Sequence, residues 1–249
     1  MLKEKRQAVI SHAVTKGLNP NVPMKDSSIE WLGEVPEHWE ICSLKRVASI
    51  RYGIGEPPQY RSEGIPLIRA TDVHNGYLLE EGLVYVNAAD IPEKRIVWLS
   101  AGDIIVVRSG AYTGDSAIIP KDYGPCIAGF DMVLHCKDIL PQFLQFALLS
   151  KYLKEGQIDL EKMRAAQPHL NAEELRSCVV VFSKIREEQS AISTFLDHET
   201  SKLDTLTSEA QTAITLLQER RTVLISAAVT GKIDVRGLVS EKRDKEQAA

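Results

Sequence analysis

The sequence predicts an α+β protein in which a globular domain with a mixed β-sheet is followed by a long coiled-coil helix. Three observations support this fold class. Short β-rich runs separated by turn residues fill residues 41–182, an apolar heptad pattern without Gly or Pro fills residues 185–230, and residues 2–19 repeat residues 217–234. The first pattern is typical of a domain of ordinary size, and the second of a helix that pairs with another helix.

The repeat relates the two ends of the chain. Residues 2–19 read LKEKRQAVISHAVTKGLN and residues 217–234 read LQERRTVLISAAVTGKID, with eight of eighteen positions identical. Their offset of 215 residues is far longer than the period of a solenoid, so the repeating unit is a helix end plus a whole domain. Residues 2–15 are therefore predicted to form a short helix that is the stub of a preceding unit.

The elements between these ends are predicted in chain order. Proline and glycine residues make 19–40 an extended connector, with Trp31, Leu32 and Trp39 as apolar anchors. Helical spacing appears at 141–153 and near 171–177. The β-rich runs are Ile65–Arg69, Leu83–Val86, Ile104–Arg108, Ser116–Ile119, Met132–Cys136 and Cys178–Phe182.

Two rows of residues spaced by seven define the long helix. One row reads Leu196, Leu203, Ala210, Leu217 and Leu224, and the other reads Ile192, Glu199, Leu206, Ala213, Arg220 and Ala227. Heptads of this kind predict a seam with a partner helix. The seam residues are predicted to be Ile192, Leu196, Leu203, Leu206, Leu217 and Leu224. The alternative is a helix that packs across its own domain, but a rod of roughly 65 Å outruns a domain of this size.

Composition and charge limit the classes of function. The 249 residues carry a net charge of −4, which argues against a protein that coats nucleic acid through many phosphate contacts. A reader with a local basic patch fits better, and residues 44–71 supply one with a balance of +3, although a solvated surface of mixed charge is the alternative. Apolar runs are too short for a membrane span, and the N-terminus lacks a signal-peptide pattern, so we expect no membrane contact and a cytoplasmic location.

Signatures of catalysis and of metal binding are missing from the sequence. The four cysteines form no CxxC pair and the six histidines make no metal pair, so reduced thiols and no metal are predicted. Neither a dinucleotide-binding glycine motif nor a Walker lysine loop occurs. We therefore expect a binding protein without catalytic residues.

Five stretches, in this order, resemble the specificity subunits of type I restriction–modification systems. They are residues 23–40 (PMKDSSIEWLGEVPEHWE), residues 102–110 (GDIIVVRSG), residues 167–171 (QPHLN), the pair Glu188-Gln189, and the ISAAVTGKID helix end. The resemblance covers about residues 2–236. One departure is the stretch Ser183-Lys184-Ile185, where the family usually has a pair of prolines.

The resemblance implies a subunit without chemistry of its own. Such subunits have two target-recognition domains, each reading half of a split DNA site, and two long helices packed antiparallel. Double-stranded DNA, methyltransferase (modification) subunits and restriction subunits are the implied partners. S-adenosylmethionine and ATP are expected only on those subunits, and no cofactor is expected here. The alternative is a coiled-coil scaffold whose globular domain binds protein.

This chain would be a half-length specificity subunit, either a natural half or the second half of a longer chain. We expect a short helix over 1–19, a target-recognition domain with its connector over 20–183, the long helix over 184–232 and a polar tail over 233–249. A chain truncated near residue 182 is expected to fold but to lose the methyltransferase subunit. A natural half is expected to pair as a homodimer through the long helix and to read an interrupted palindrome.

The loops 51–60, 69–76 and 108–114 are predicted to form the DNA-reading face. Arginine can pair with guanine, glutamine with adenine, and Ser, Thr or Tyr with phosphate. The candidate DNA-binding residues are Arg51, Tyr52, Gln59, Tyr60, Arg69, Thr71, His74, Arg108, Ser109 and Tyr112. For Arg108, a structural role in holding the glycine loop is the equal alternative.

Overall fold

The computed structural model describes residues 1–162 and 168–234. The chain divides into two compact units, Met1–Thr200 and Ser201–Ala249. The first unit combines several β-sheets with short helices, and a long helix follows the last strand, so the predicted α+β class is confirmed. Residues 235–249, most of the predicted polar tail, lie outside the described residues.

The strands are short, as the turn-rich sequence predicts. They are β1 Met24–Asp26, β2 Glu34–Pro36, β3 Trp39–Ser43, β4 Ala48–Tyr52, β5 Ile65–Ile68, β6 Val73–His74, β7 Tyr77–Leu78, β8 Val84–Val86, β9 Trp98–Leu99, β10 Ile104–Val106, β11 Ser116–Ile118, β12 Cys126–Ala128, β13 Met132–Cys136 and β14 Val179–Ser183. Each of the six predicted β-rich runs overlaps a strand. The sequence analysis missed the other eight strands of the described residues, among them β4, which carries Tyr52.

The helices follow the predicted order. They are α1 Leu2–Lys16, α2 Leu44–Val47, α3 Pro141–Leu149, α4 Lys151–Leu153, α5 Asp159–Lys162, α6 Ala172–Ser177 and α7 Arg186–Val229, with 3-10 turns at Ala70–Asp72, Ala88–Asp90 and Glu93–Arg95 and a π-turn at Lys154–Ile158. Among the described helices none is long and apolar enough to cross a bilayer.

Two four-stranded sheets form the centre of the first unit. Sheet 1 has the order β11-β10-β13-β4 and is antiparallel; sheet 2 has the order β8-β5-β12-β9 and is mixed, because β12 runs parallel to β5. One apolar cluster takes residues from both sheets, including Ile105 and Val133 of sheet 1 and Ile68 and Ala128 of sheet 2. The opposite face of sheet 1 belongs to the largest cluster, which the helices complete.

The N-terminal helix α1 is part of this largest cluster. Ile10 and Val14 have no exposed surface, and Ala13 is 1% exposed. The helix contacts α3, α4, β2 and β14. Two polar contacts join it to the chain near residue 150: the Gln7 side chain donates to the Leu149 carbonyl at 2.8 Å, and Ser11 Oγ accepts from the Lys151 amide at 2.8 Å.

The connector is more regular than predicted, because β1 and β2 pair within it and β3 pairs with β14. Of its three predicted anchors, Leu32 and Trp39 are buried. Trp31 is 49% exposed, and its ring stacks on that of Tyr152 with centroids 6.1 Å apart. The connector therefore covers part of the core rather than spanning solvent.

The start of α7 is built into the first unit through Glu188 and Gln189. Gln189 is fully buried; its Oε1 accepts from the Leu140 amide and its Nε2 donates to the Ser183 carbonyl, both at 2.7 Å. Glu188 accepts a hydrogen bond from Trp39 Nε1 at 3.1 Å and contacts His38 at 2.8 Å. This Glu-Gln pair thus joins the helix start to a strand end and to the loop before α3.

The prediction that the whole heptad seam faces a partner helix is wrong for its first residues. Ile192 and Leu196 are 1% and 0% exposed and belong to the core of the first unit, and Leu203 is only 4% exposed. The compact unit accordingly extends to Thr200 instead of ending at residue 183. Truncation near residue 182 would remove these core side chains, so such a fragment should be less stable than the sequence alone led us to expect.

The second unit leaves the other seam residues exposed. Leu206 is 43% exposed, Leu217 64% and Leu224 48%, so these side chains are free to meet another surface. Threonines spaced along the helix donate to carbonyls four residues earlier, as Thr212 does to Ser208 at 3.0 Å. Such back-bonding satisfies the threonine hydroxyls within the helix.

Candidate nucleic-acid interface

Arg108 lies between two aromatic rings at one end of sheet 1. Its Cζ is 4.6 Å from the ring centroid of Tyr52 and 4.0 Å from that of Phe130. The register explains the first contact, because Val106, Met132 and Tyr52 pair side by side across β10, β13 and β4. Side chains alternate along a strand, so residue 108 continues on the face that Val106 and Tyr52 share.

The backbone around Arg108 is held by the turn between β12 and β13. The Arg108 amide donates to Asp131 Oδ1 at 3.1 Å, and the Gly53 amide donates to the Asp131 carbonyl at 2.8 Å. Asp131 is 2% exposed, and this burial raises the pKa of its carboxyl even though Arg108 acts in the opposite direction. One buried aspartate therefore connects the three segments that carry the two rings and the guanidinium.

The loop after Arg108 brings together two stretches that resemble the specificity family. Ser109 forms a β-bridge with His169, the Gly110 amide donates to the Pro168 carbonyl, and the Leu170 amide donates to the Arg108 carbonyl at 2.8 Å. Tyr112 stands at the tip of this loop and is 45% exposed.

The segment around residue 171 is held by a capping box. Asn171 Oδ1 accepts from the Glu173 and Glu174 amides at 2.9 Å, and Glu174 Oε2 accepts from the Asn171 amide at 2.7 Å. This arrangement begins α6 by satisfying amides that would otherwise lack partners. The Ala172 amide donates to the Tyr52 hydroxyl at 2.8 Å, so the same helix start also fixes the ring beside Arg108.

Arg69 and its neighbours form a second cluster, with a different character. The Arg69 guanidinium donates to Asp72 from Nε at 3.2 Å and from Nη2 at 3.1 Å, and Nη2 also donates to the Gly82 carbonyl at 2.9 Å. These hydrogen bonds to buried Asp72 raise the pKa of Arg69. Thr71 Oγ1 donates to Asp72 as well, and the Tyr60 ring lies 5.8 Å from Arg69 Cζ. Arg69 is thus committed to holding its own loop.

The remaining candidates, Arg51, Gln59 and His74, differ from these two clusters in their surroundings. Arg51 pairs with Val133 in the sheet register and therefore points to the face of sheet 1 opposite Tyr52. Gln59 is exposed, and the ring of exposed His74 lies 3.1 Å from the Asn75 side chain. The structure therefore brings together Tyr52, Arg108, Ser109 and Tyr112, and separately Tyr60, Arg69 and Thr71.

The basic patch is weaker than its sequence window indicated. Arg46 pairs with Glu40 at 3.5 Å, Arg61 with Asp90 at 2.8 Å, and Arg69 with Asp72. These acids lie outside residues 44–71, so the count of +3 did not include them. Sequence reasoning also missed Phe130, which is 44% exposed between two buried strands; an isolated aromatic in a tight turn was the available signal.

The site offers donors and ring faces but no set of metal ligands. Throughout residues 1–162 and 168–234, no group of three His, Cys, Asp or Glu side chains is arranged to hold a metal ion. The exposed groups around Arg108 are a cation, two phenol rings and a phenyl ring. Chemically, this arrangement can bind an anionic or aromatic partner.

Comparison with known proteins identifies the family. Residues 36–216 match the family model described as the type I restriction modification DNA specificity domain. The chain belongs to this family. The match covers Tyr52, Arg108 and Phe130 and most of α7. It confirms the resemblance that the sequence motifs indicated.

Relatives with this domain include specificity subunits of archaeal and bacterial restriction enzymes. The chain is 23% identical to the MjaVIII specificity subunit of Methanocaldococcus jannaschii, over 96% of this chain and 56% of that protein. It is 25% identical to the EcoBI specificity subunit of Escherichia coli, over 94% and 51%. The chain spans about half the length of the curated relatives it matches.

Solved structures share the fold. A chain from work on complex assembly and conformational transition of the type I R-M system superimposes with a TM-score of 0.65 at 17% identity, covering 91% of this chain and 51% of that one. The HsdS subunit from Thermoanaerobacter tengcongensis gives a TM-score of 0.59 at 16% identity, covering 93% and 51%. The globular domain followed by a long helix is therefore a known specificity-subunit architecture.

Proposed function

We propose that the chain is a non-catalytic DNA sequence-recognition subunit that directs methyltransferase and endonuclease subunits to a bipartite DNA site. The observation that carries this proposal is the specificity-domain match over residues 36–216. The exposed rings around Arg108 support it, because arginine and aromatic side chains are suited to contacts with bases and phosphates. Family membership favours this function over a protein-binding scaffold. The expected location is the cytoplasm.

The modification and restriction subunits would dock on the exposed part of α7. Beyond Leu203 every heptad residue named as seam is at least 43% exposed, and the other faces carry charged residues such as Glu209 and Arg221. S-adenosylmethionine and ATP would be bound by those subunits. Glu188, by contrast, is engaged with His38 and Trp39 and would contribute to the domain itself.

A second copy of this chain would cover the apolar residues of α7. Leu206, Leu217 and Leu224 would each contribute about 1.5–3 kcal/mol if they were fully buried in a helix pair. Two identical chains related by a two-fold axis would read inverted half-sites separated by a fixed spacer. Two copies of this chain would together have about the length of the curated specificity subunits.

Methylation mapping in cells that express this chain with its modification subunit tests the proposal. The expected result is new methylation at one sequence, in the form of a palindrome with a non-specific spacer. No new methylation together with no retention of DNA by the purified complex would contradict the DNA function. Capture of the modification subunit without any DNA retention would favour the scaffold instead.

Light scattering of the purified chain tests the homodimer separately. The wild-type chain is expected to be a dimer at tens of micromolar, and the double change Leu217→Glu with Leu224→Glu is expected to make it monomeric. Gln218→Glu is the matched control, since it adds charge on the same turn but outside both heptad rows. A monomeric wild-type chain, or an asymmetric methylated site, would refute the two-fold pair.

A further inference from the structure

The guanidinium of Arg108 is held by rings rather than by polar partners. Tyr52 and Phe130 cover it at 4.6 Å and 4.0 Å, while Nε is buried without a hydrogen-bond partner. Within residues 1–162 and 168–234, the structure contains no hydrogen bond or ion pair to any of its three nitrogens. Arg69 shows the opposite condition, since its guanidinium donates two hydrogen bonds to Asp72 and one to the Gly82 carbonyl.

The charge of Arg108 is not neutralised by the nearest carboxylate. Asp131 accepts its hydrogen bond from the Arg108 backbone amide, at 3.1 Å, and no ion pair joins the two side chains. A cation that keeps its charge while half-buried between rings is costly unless an acceptor completes it. All of the guanidinium donors lie in the plane of the group, so that acceptor has to approach edge-on.

The surroundings leave that edge accessible. Tyr52 is 43% exposed, Phe130 44% and Tyr112, at the tip of the adjoining loop, 45%. Two rings of this exposure contact the cation, and a third aromatic side chain lies on the adjoining loop. Arg108 itself is of intermediate exposure, so it is partly open to solvent.

We infer that Arg108 reads one guanine of the DNA target through the O6 and N7 atoms of its major-groove edge, and that Tyr52 and Phe130 are positioning residues that hold the guanidinium in the plane of that base. This inference rests on the proposed DNA-recognition function. A guanine edge presents two acceptors in one plane, which matches the planar fork of arginine. Arginine also binds phosphate through two parallel hydrogen bonds, so a backbone contact is the alternative, and it differs from a base contact in being independent of sequence.

The test uses the complex of this chain with its modification subunits and the target found by methylation mapping. Each guanine of the target is replaced in turn by 7-deazaguanine, which lacks N7. Wild type is expected to lose affinity at one position in particular, by up to the roughly 5- to 150-fold that a whole bidentate base contact provides, because O6 keeps one of the two hydrogen bonds. Arg108→Ala and Arg108→Lys should weaken binding to the intact target, yet show no further loss at that position.

Phe130→Leu and Tyr52→Leu should each lower the affinity for the target by less than Arg108→Ala does. They should also reduce the effect of 7-deazaguanine at the same position. Arg61→Ala is the matched control, because Arg61 is paired with Asp90 and its removal should leave the guanine response unchanged. If Tyr52 and Phe130 position a planar guanidinium, Arg108→Lys should keep the positive charge but not restore discrimination at that guanine. A purely structural role for Arg108 would instead lower thermal stability without selecting one guanine.

Three results would overturn the inference. One is a target in which no guanine responds to loss of N7, which is read on the wild-type chain and needs no variant to fold. Another is that Arg108→Ala lowers the affinity for all DNA sequences equally, which indicates a phosphate contact. The third is undiminished binding by Arg108→Ala. In each case wild type still binds its target, so the proposed function stands; absence of any wild-type target would refute both.

Discussion

The two copies of the repeated segment have closely similar sequences but opposite environments. In α1, Ile10 and Val14 are completely buried, whereas their counterparts at the end of α7, Ile225 and Val229, are 53% and 81% exposed. The first copy completes a core that α3, β2 and β14 share. The second copy presents the same apolar side chains to solvent. An apolar stripe on a helix thus specifies a docking face, but not what covers it.

The largest expected contrast between the copies is in their isoleucines. Ile10→Ala should lower the free energy of unfolding by about 2–5 kcal/mol, because it removes buried atoms and leaves a cavity. Ile225→Ala should change it by no more than about 0.5 kcal/mol in the monomer, as exposed sites usually do. Urea denaturation of both variants measures this difference. Equal effects at the two positions would remove the contrast between a buried and an exposed copy.

A smaller contrast is expected at the glycines that end the two copies. Gly17 has φ 76° and ψ −167°, a conformation that side chains rarely adopt, and an added Cβ would lie 3.5 Å from the Trp39 ring. Gly17→Ala should therefore cost about 1–3 kcal/mol of domain stability. Gly231→Ala should leave the unfolding of the first unit unchanged, although Gly231 also has positive φ. The melting temperature of each variant tests this prediction. A lower melting temperature for Gly231→Ala, with none for Gly17→Ala, would contradict it.

The smallest expected effect concerns Glu188, which borders the C-terminal end of α1. Burial alone would raise the pKa of Glu188, but hydrogen bonds from Ser183, His38 and Trp39 outweigh it and hold the pKa below its usual 4.5. A lowered pKa stabilises the fold above about pH 4.5, and this contribution is lost as pH falls through the folded-state pKa.

Glu188→Gln should therefore destabilise the protein by about 1 kcal/mol or less at neutral pH, with the difference from wild type vanishing in acid. Unfolding curves from pH 7 to pH 3 check the direction of the dependence. The exposed neighbour offers a matched control, since Glu187→Gln should be silent at every pH. If the stability difference between wild type and Glu188→Gln grew toward low pH, the predicted direction of the pH dependence would be wrong.

The candidate interface shows why local sequence predicted only part of the site. Arg108 and Tyr52 were predicted because they lie close to glycines that mark turns in the sequence. Phe130 was missed because its contact with Arg108 depends on the pairing of β10 with β13, whose residues are more than twenty positions apart. Arg69 was predicted as a DNA reader, but Asp72, only three residues later, holds its side chain. Side-chain geometry therefore decides which arginine forms hydrogen bonds within the protein and which does not.

By itself, the sequence determined the family through its motifs. It also predicted six of the strands, the longer helices and the repeat at the two ends of the chain, because local propensity and periodicity encode these features. Only the tertiary structure decided that Ile192 and Leu196 belong to the core while Leu217 and Leu224 remain exposed, and that Tyr52, Arg108 and Phe130 meet. The physical reason is that burial and ring contacts depend on segments far apart in the chain, and a heptad pattern is the same whether its partner is the helix's own domain or another molecule.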